Sequence, residues 1–433
     1  MSNLTVYWDQ EVVGTISRHP QGKISFEYAS QWIVTKGKPI SLSLPCGQKR
    51  FPPGLSTAFF ENLFPESETR TILAFNHRFD KKDTFSFLEH FGGDCAGALS
   101  IVPEGDNSHC EPGRYSCIDA DLKVALDMIK ADPDKHKLFP EMANARLSIA
   151  GAQDKLPVYF EDDSFFLPEN SGSPTTHIIK PASLYFPDIQ RNESFCMELA
   201  HHIGLPVPKS QLYNFEGHEL FLVERFDRQR TGDAVIRVHQ EDFCQAMGLP
   251  FNRKYQETGG PGFAECRELA EEHLYADITR VKERLTAVMA FNFLIGNNDA
   301  HGKNFSVIHG NIIKLAPFYD LVSTQVYPGL DRKLAMAIGK TYRHDRVNEA
   351  SFTQFSRDVK MRPEKVYEII EGSARAVREK YEHVLSAHEK QYGESKIYAN
   401  IHEVIKKNHA HLQELINDLD NRVDEEESYR PIM

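Results

Sequence analysis

The stretch that decides the fold is residues 295–320, IGNNDAHGKNFSVIHGNIIKLAPFYD. The residues leading into it, 285–295 (LTAVMAFNFLI), are apolar on nearly every side, which predicts a buried helix. Gly296 is expected to end that helix, because glycine readily takes the left-handed conformation found at helix C-termini. Two apolar runs, FSVI and NIIKL, are joined at residues 309–311 and predict a hairpin with a tight glycine turn.

The polar residues of this stretch occur in an order that suits phosphoryl transfer. Asp299 and Asn304 lie five positions apart, and Asp320 follows the hairpin. Protein kinases place an Asp and an Asn at this spacing in the catalytic loop and a second Asp after a hairpin. The chemistry needs an acceptor for the proton of the attacking hydroxyl and oxygen ligands for magnesium.

Two features of the stretch differ from a typical protein kinase. The loop is not His-Arg-Asp, and the later tripeptide is Tyr-Asp-Leu rather than Asp-Phe-Gly. An isolated Asp-x4-Asn is most often a polar turn whose side chains cap backbone groups. The buried helix before it and the hairpin and Asp320 after it favour the kinase-like interpretation.

Composition is that of an ordinary globular protein. The chain has 433 residues, of which 41% are hydrophobic and 26% charged, enough for two or three domains with a sizeable core. No apolar run approaches membrane length and the first residues do not resemble a signal peptide. The seven cysteines contain no C-x-x-C pair, which fits a reducing cytoplasm and predicts neither a disulfide framework nor a zinc site. The net charge of −12 argues against strong general binding of nucleic acid by the chain alone.

The first hundred residues predict a β-rich subdomain. Residues 3–30 alternate in short β-rich runs and predict an antiparallel sheet, and residues 40–46 (ISLSLPC) predict a further strand. Residues 57–64 and 85–90 have helical spacing. Residues 103–118 are polar and contain Pro and Gly, so they are a plausible domain boundary.

A second group of motifs is read as a nucleotide site. Residues 146–155 (RLSIAGAQDK) precede the predicted strand LPVYF; with one glycine, the segment alone is more typical of an ordinary hairpin turn than of a phosphate loop. Lys180 ends the predicted strand HIIK, and Asn192-Glu193 is expected to open a helix. Kinases pair such a lysine with such a glutamate to hold phosphates, although a surface lysine and a first-turn glutamate explain the pattern equally well. The kinase order downstream favours the Lys180–Glu193 pair.

Two further segments complete the pattern. Residues 211–226 predict a hairpin with Glu216-Gly217 at its turn, and it ends where a kinase chain crosses between lobes, so that backbone groups there could bond an adenine edge. Residues 254–263 contain Gly-Gly-Pro-Gly and are expected to form a mobile loop or a solvated linker. His301 has no second His or Cys at ligand spacing, so a zinc site is rejected.

Taken together, the motifs LSIAGAQDK, TTHIIK, NESFC, VERFDR, QEDFCQAMGLP, GGPG, NNDAHGKNFS and PFYD resemble the HipA family, the serine/threonine kinase toxins of bacterial toxin–antitoxin modules. The resemblance covers nearly the whole chain. It implies an α+β, two-lobed protein-kinase-like fold with an extra N-terminal antiparallel β subdomain and a mainly helical C-terminal lobe. The implied domains are an N-terminal subdomain (1–110), a kinase-like N-lobe (145–240) and a helical C-lobe (241–433).

The resemblance also implies residue roles and the cofactors ATP and Mg²⁺. Asp299 would be the catalytic base, Asn304 and Asp320 the magnesium ligands, and Ser148 the site of autophosphorylation. Lys303 lies four residues after the aspartate rather than two, which weakens its assignment to the γ-phosphate. The implied ATP-binding residues are Ala150, Gly151, Ala152, Gln153, Asp154, Lys155, Lys180, Glu224, Arg225, Phe226, His301, Gly302, Lys303, Asn304, Tyr319 and Asp320.

The implied partners are a HipB-like helix-turn-helix antitoxin, operator DNA bound through the toxin–antitoxin complex, and a protein substrate such as glutamyl-tRNA synthetase. Phosphorylation of that substrate would inhibit translation and promote persistence. Two alternatives stay open: a small-molecule kinase of the aminoglycoside type, and a catalytically inactive kinase-fold co-repressor. The motif at residues 148–155 and the N-terminal sheet argue against the first, and the intact Lys180, Asp299, Asn304 and Asp320 argue against the second.

Overall fold

The chain forms two compact units in a computed structural model. Unit 1 comprises Met1–Gln190, Pro208–Lys254 and Phe305–Ala316, and unit 2 comprises Arg191–Val207, Tyr255–Asn304 and Pro317–Met433. Each unit therefore draws on three separate stretches of the chain. The structure describes residues 3–35, 37–107, 111, 113–132, 136–142, 154–183, 185–232 and 234–428.

The N-terminal part of unit 1 is an antiparallel sheet covered by short helices. Its strands pair in the order β4-β3-β2-β1-β5, and alternate residues of β3 are buried, as expected of a sheet with one face in the core. The strands are β1 Asn3–Trp8, β2 Glu11–Arg18, β3 Ile24–Tyr28, β4 Arg50–Phe51 and β5 Leu99–Pro103; the helices are α1 Ser30–Thr35, α2 Pro53–Glu61, α3 Ser67–Asn76 and α4 Thr84–Phe91.

A second antiparallel sheet carries the predicted nucleotide motifs of unit 1. Its described strands pair in the order β10-β11-β9-β7-β8-β6. The strands are β6 Tyr115–Cys117, β7 Leu156–Glu161, β8 Ser164–Pro168, β9 His177–Lys180, β10 Ser210–Phe215 and β11 His218–Glu224, and the helices beside them are α5 Asp119–Ala131 and α6 Leu138–Met142. The hairpin β10–β11 turns at Glu216 and Gly217, as predicted. Both residues have positive φ.

Smaller elements complete unit 1. Strands β12 and β13 form a two-stranded ribbon, and β14, β15 and β16 form a three-stranded sheet. Their bounds are β12 Arg228–Thr231, β13 Ala234–Arg237, β14 His239–Asp242, β15 Ser306–His309 and β16 Lys314–Leu315, with α8 Phe243–Ala246 after β14.

Unit 2 is mainly helical. The central helix α10 is buried along almost all of its second half and packs against the two long helices α12 and α13. The helices are α7 Ile189–His202, α9 Phe263–His273, α10 Ile278–Ile295, α11 Glu349–Asp358, α12 Pro363–Tyr392 and α13 Lys396–Ser428, and the strands are β17 Lys333–Ile338 and β18 Thr341–Arg343. None of the helices in the described part of the chain is both long and apolar enough to span a membrane.

Two predictions about local structure are wrong. Residues 40–46 are not a strand: they form turns with a single bridge from Ser41 to Leu44. The Ser41 hydroxyl and the Leu42 N–H instead donate to the Glu241 carboxylate, at 2.6 and 2.9 Å. The predicted helix start at Asn192-Glu193 lies inside α7, which begins at Ile189.

The predicted hairpin after Asn304 exists, but its turn is not tight. The pairing of β15 with β16 stops at Ile308 opposite Lys314, which leaves a longer connection than a two-residue turn. Gly310 is not among the glycines with positive φ. Strand β15 pairs along its whole length with β14 as well, so the sheet is specified by β14 and does not depend on a tight turn.

Candidate active site

The polar loop of unit 2 begins where α10 must end. Gly296 has φ +68°, and its N–H donates to the carbonyls of Asn292 and Phe293. A Cβ at this position would lie 2.7 Å from Val404 Cγ1 and 2.9 Å from Gln325 Cδ. The glycine is therefore required both for its left-handed backbone and for close packing, as the sequence predicted for the helix end.

The loop after Gly296 is held by its own asparagines. Asn297 Nδ2 donates to Asn292 Oδ1 at 3.0 Å, and Asn297 Oδ1 accepts from the Asp299 N–H at 3.0 Å. The Asn298 N–H donates to Thr324 Oγ1 at 2.8 Å. Both asparagines are buried while Asp299 is exposed, so the loop presents the aspartate to solvent on a fixed backbone.

The carboxylate of Asp299 receives a hydrogen bond from outside the loop. Tyr255 Oη donates to Asp299 Oδ1 at 2.8 Å. The backbone carbonyl of Asp299 accepts from the His301 N–H at 2.8 Å and from Asn304 Nδ2 at 3.1 Å. Because the amide nitrogen of Asn304 is engaged in this way, its Oδ1 is the atom it can offer to a cation.

Asp320 lies in an unusual backbone conformation. Its φ is +54°, a left-handed value that a residue with a side chain adopts only when its surroundings hold it there. Asn297 Nδ2 donates to the Asp320 carbonyl at 3.4 Å. Three residues later, Ser323 exchanges two hydrogen bonds with the buried amide of Asn192, of 2.9 and 3.0 Å. These contacts hold the chain at Asp320 and directly after it.

The other predicted residues of unit 2 are largely buried. His301 and Lys303 are each 6% exposed, and Gly302 is buried between them. The Tyr319 hydroxyl donates to the Lys303 carbonyl at 2.8 Å. The ring of His301 meets that of Tyr255 edge to face, with 5.2 Å between centroids. Unit 2 thus brings Asp299, Asn304 and Asp320 onto one hydrogen-bonded framework through Asn297.

The predicted phosphate-binding residues of unit 1 are described only in part. Ser148 and Ala150, Gly151, Ala152 and Gln153 lie outside the described residues. Asp154 Oδ2 accepts from the Leu138 N–H at 2.6 Å, just before β7. Lys180 is the last residue of β9; it is 3% exposed, and its Nζ lies 5.7 Å from the centre of the Phe221 ring.

Residues 224–226, predicted to cross between the lobes, lie at the end of β11. The backbone and side chain of Arg225 are both engaged in hydrogen bonds there. Its N–H donates to the Thr176 carbonyl at 2.9 Å, continuing the pairing of β11 with β9. Its guanidinium is buried and forms salt bridges with Asp94 at 3.3 Å and Asp227 at 2.8 Å. Its side chain therefore has a structural role, while Glu224 is exposed and Phe226 half-buried.

Glu193 is 1% exposed in the second turn of α7. It belongs to unit 2 and Lys180 to unit 1, so their ion pair stays a prediction. In the described chain no three His, Cys, Asp or Glu side chains are grouped in a way that could hold a metal ion. An Asp–Asn pair completed by phosphate and water oxygens, as magnesium accepts, does not need such a group.

Sequence reasoning missed three residues that hold the loop after Gly296 or the segment after Asp320. Tyr255 lay in a segment interpreted as a linker, Asn192 was interpreted as a helix start, and Asn297 was not distinguished from its neighbours. The signal available in the sequence was the density of asparagines around the aspartate, since Asn side chains readily bond nearby backbone groups. The long-range partners of Tyr255 and Asn192 carry no such signal.

Comparison with known proteins identifies the family. The model of the HipA-like C-terminal domain matches residues 147–381, and the model of the HipA N-terminal domain matches residues 4–102. The putative kinase Y4mE of Sinorhizobium fredii is 38% identical over 364 residues, which cover 82% of this chain and 85% of that protein. The serine/threonine-protein kinase toxin HipA of Shewanella oneidensis is 29% identical over 342 residues, 73% of this chain and 76% of that protein.

A solved structure shows the same fold. It is the complex of HipA, HipB and operator DNA from the toxin–antitoxin system of Shewanella oneidensis MR-1, whose matching chain has a TM-score of 0.80 and 24% sequence identity. The match covers 96% of this chain and 97% of that one. The predicted α+β fold class is therefore confirmed.

Proposed function

The chain belongs to the HipA family, and from that premise we propose that it is an ATP-dependent protein serine/threonine kinase acting as the toxin of a toxin–antitoxin module. The observation that carries the proposal is the loop of unit 2, where an exposed Asp299 stands on a rigid, hydrogen-bonded backbone. Asn304 follows five residues later, and Asp320 is held in a left-handed conformation nearby in the same network. This set supplies a proton acceptor and two oxygen ligands, which phosphoryl transfer requires.

Each residue would have a distinct role. Asp299 would accept the proton of the serine hydroxyl as the oxygen attacks the γ-phosphate of ATP. Asn304 Oδ1 and the Asp320 carboxylate would hold Mg²⁺, and oxygen donors of this kind fit that ion. When bound, Mg²⁺ would neutralise the charge of the phosphate oxygens. Lys180, buried at a strand end, would bind the α- and β-phosphates, with Glu193 as its proposed ion-pair partner.

The remaining predicted ATP contacts are also proposed, except for backbone N–H groups that are already paired in the structure. Residues 150–155 would bind phosphates, and His301, Gly302, Lys303 and Tyr319 would line the nucleotide site. At the adenine, Glu224 would offer its carbonyl and Phe226 its backbone groups. The N–H groups of Glu224 and Arg225 would not take part, because they already donate to the carbonyls of Lys209 and Thr176.

The proposed partners follow from the family and the solved complex. We assign to this chain a HipB-like antitoxin and operator DNA bound through that complex, with a protein substrate such as glutamyl-tRNA synthetase. The toxin would thereby inhibit translation and promote persistence. With a net charge of −12, DNA binding would need a basic partner or a local basic patch on this chain.

The proposal is tested by incubating the full-length chain with Mg²⁺ and ATP in three reactions: alone, with glutamyl-tRNA synthetase, and with an aminoglycoside. Mass spectrometry is expected to find phosphate on a protein serine in the first two. Phosphate on the aminoglycoside alone would support the small-molecule kinase. Transfer in none of the three, with operator binding intact in the presence of a HipB-like antitoxin, would support the inactive co-repressor.

Autophosphorylation of Ser148 is part of the proposal. A phosphoserine adds about −1.5 to −2 charge at neutral pH, and beside residues 150–155 it would compete with ATP for the same N–H donors. Ser148→Ala should therefore keep first-turnover transfer to other proteins and lose self-inactivation, whereas Ser164→Ala on β8 should behave as wild type. A Ser148→Ala protein that binds ATP but transfers no phosphate would contradict this role.

A further inference from the structure

A hydrogen bond links the Tyr255 hydroxyl to the carboxylate of Asp299, the proposed catalytic base. Its donor lies 44 residues before its acceptor and on a different segment, at a distance of 2.8 Å. A carboxylate that accepts a proton in the transition state must already be aligned with the reacting hydroxyl. A hydrogen bond to one of its oxygens restricts rotation about its terminal torsion, which is otherwise broad.

We propose that Tyr255 is the positioning residue for Asp299, and this inference rests on the proposed kinase function. The tyrosine would not itself exchange a proton with the substrate. Its hydroxyl would hold the carboxylate plane in one orientation throughout the reaction. Residues 255–262, here called the tyrosine loop, would be the device that places this hydroxyl.

The tyrosine loop is anchored to strand β17. Gln256 Oε1 accepts from the Ala337 N–H at 2.7 Å, and the Glu257 carboxylate accepts from Lys333 Nζ at 2.8 Å. Within the loop, the N–H of Gly260 donates to the Tyr255 carbonyl at 2.9 Å. Residues 254–263 were expected to form a mobile loop or a solvated linker, and residues 257–259 are exposed, but side chains of this segment also bind the neighbouring strand.

Gly262 explains part of the Gly-Gly-Pro-Gly motif. A Cβ at Gly262 would lie 2.2 Å from Gln256 Nε2 and 2.5 Å from its Cδ. The Gly262 N–H donates to Glu265 Oε2 at 2.9 Å, which caps α9. The absence of a side chain at Gly262 thus leaves the space that the Gln256 side chain fills when it binds Ala337.

The same strand also holds the catalytic loop. The Ala335 N–H of β17 donates to the Asn298 carbonyl at 2.8 Å, next to Asp299. Strand β17 therefore fixes both ends of the Tyr255–Asp299 hydrogen bond, one through Gln256 and the other through Asn298. Two groups tied to one rigid element keep their spacing better than two groups on separate loops.

The first test compares Tyr255→Phe with wild type in transfer to glutamyl-tRNA synthetase. The ring and its contact with His301 remain, so kcat should fall about tenfold while KM for ATP and the calorimetric Mg-ATP affinity stay unchanged. Tyr367→Phe is the matched control, because it removes another hydroxyl of unit 2, which donates to the Glu349 carbonyl at 3.4 Å. An unchanged or raised kcat in Tyr255→Phe would overturn the inference.

The second test changes the tyrosine loop without replacing Tyr255. Gly262→Ala should displace the flexible end of Gln256 and lower kcat as Tyr255→Phe does, and adding Gly262→Ala to Tyr255→Phe should cause no further loss. Gly329→Ala is the control, since a Cβ there meets nothing within 4 Å. A Gly262→Ala protein with full kcat, or losses that multiply in the double variant, would count against the tyrosine loop.

A third readout is independent of catalysis. Hydrogen–deuterium exchange of residues 297–304 should become faster in Tyr255→Phe and stay unchanged in Tyr367→Phe. If wild type transfers no phosphate, the proposed function fails, and faster exchange would still support the positioning contact. If wild type is active but neither kcat nor exchange responds to Tyr255→Phe, the inference fails alone.

Discussion

Two aspartates of this protein are held by hydrogen bonds in opposite surroundings. Asp94 in unit 1 has a side chain that is 1% exposed and contacts three guanidinium groups, those of Arg225, Arg228 and Arg237, at 3.3, 2.9 and 3.1 Å. Asp299 in unit 2 is exposed, and its carboxylate accepts a hydrogen bond from the Tyr255 hydroxyl. The first carboxylate is buried among three cations, whereas the second lies at the surface.

The difference shows what makes a carboxylate reactive. Burial alone would raise the pKa of Asp94, but Arg228, Arg225 and Arg237 together hold that pKa well below its usual range. Such a group stays charged at every physiological pH and cannot exchange a proton. An exposed carboxylate can approach a substrate hydroxyl and accept its proton. The Asp94 cluster is therefore structural, and Asp299 is the candidate base.

The largest expected effect is the loss of phosphoryl transfer when Asp299 is replaced. Asp299→Asn keeps the shape of the side chain but removes the proton acceptor, so phosphoryl transfer should fall by about a hundred- to ten-thousandfold. Stability should change by less than about 0.5 kcal/mol, because the side chain is exposed. Initial rates with Mg-ATP and a thermal unfolding scan measure both quantities.

Asp345→Asn is the control for this prediction, since it removes another exposed carboxylate of unit 2, whose partner is Arg343. It should leave transfer unchanged. Near-wild-type turnover in Asp299→Asn would show that another group accepts the proton. Asp299 would then not be the catalytic base.

The second effect is a loss of stability when Asp94 is replaced. Asp94→Asn leaves three buried guanidinium groups without their shared anion, and breaking a buried ion pair typically costs about 3–5 kcal/mol. The free energy of unfolding should fall by that amount in urea titrations. Asp121→Asn, on the exposed face of α5, should cost a few tenths of a kcal/mol. A small loss in Asp94→Asn would mean that solvent or rearranged side chains compensate the arginines.

The contrast also marks what could be predicted from sequence. The buried helix α10 and its stop at Gly296 follow from local apolar pattern and backbone chemistry, and both are confirmed. The hairpin β10–β11 followed in the same way from alternation and the Glu216-Gly217 turn. Local rules sufficed for these two elements, whose partners are their own neighbours in the sequence.

Local rules failed where distant residues decide. Residues 40–46 look like a strand, yet Glu241, about two hundred positions later, takes their hydrogen bonds. Asp94 carried no motif at all, and its three arginines lie more than 130 positions away. The tyrosine loop was interpreted as a linker because nothing in its own sequence indicates β17 as its anchor.

A third, smaller effect is the pH dependence of stability that comes from His239, a buried neutral group of unit 1. Burial lowers the pKa of His239 to about 3, with His309 adding to the shift. Its ring is neutral in the fold, where Nδ1 accepts from the Ala98 N–H and Nε2 donates to the Ile40 carbonyl. The unfolded chain binds a proton near pH 6.5, so this contribution to stability is lost as pH falls below that value.

At pH 5 the cost of keeping His239 neutral is about 2 kcal/mol relative to pH 8, from the ordinary histidine pKa. His239→Gln, which retains a donor and an acceptor, should remove that part of the pH dependence between about pH 6.5 and 4.5. His201→Gln, on an exposed residue of α7, should not. The carboxylate of Asp94 responds only below about pH 4, since its unfolded pKa is near 3.9. Parallel pH curves for wild type and His239→Gln would contradict the assignment.

The smallest expected effect concerns Glu271, a carboxylate that is both ion-paired and partly exposed. Glu271 in unit 2 is ion-paired as Asp94 is, with Lys282 at 2.8 Å, Arg267 at 2.6 Å and Lys360 at 3.1 Å, but its side chain is 30% exposed. Hydrogen bonds from Lys282 and Arg267 lower the pKa of Glu271 to about 2. Its stabilisation is therefore present above about pH 4.3 and lost as pH falls towards 2.

Solvent screening should reduce that stabilisation to about 1 kcal/mol or less, far below what the pKa shift alone suggests. Glu271→Gln should lower the free energy of unfolding by this amount at neutral pH, and about 1 M salt should abolish most of the difference. The loss in Asp94→Asn should persist in the same salt, because buried charges are screened little. If Glu271→Gln cost as much as Asp94→Asn, the number of ion pairs rather than burial would determine the stability of these two clusters.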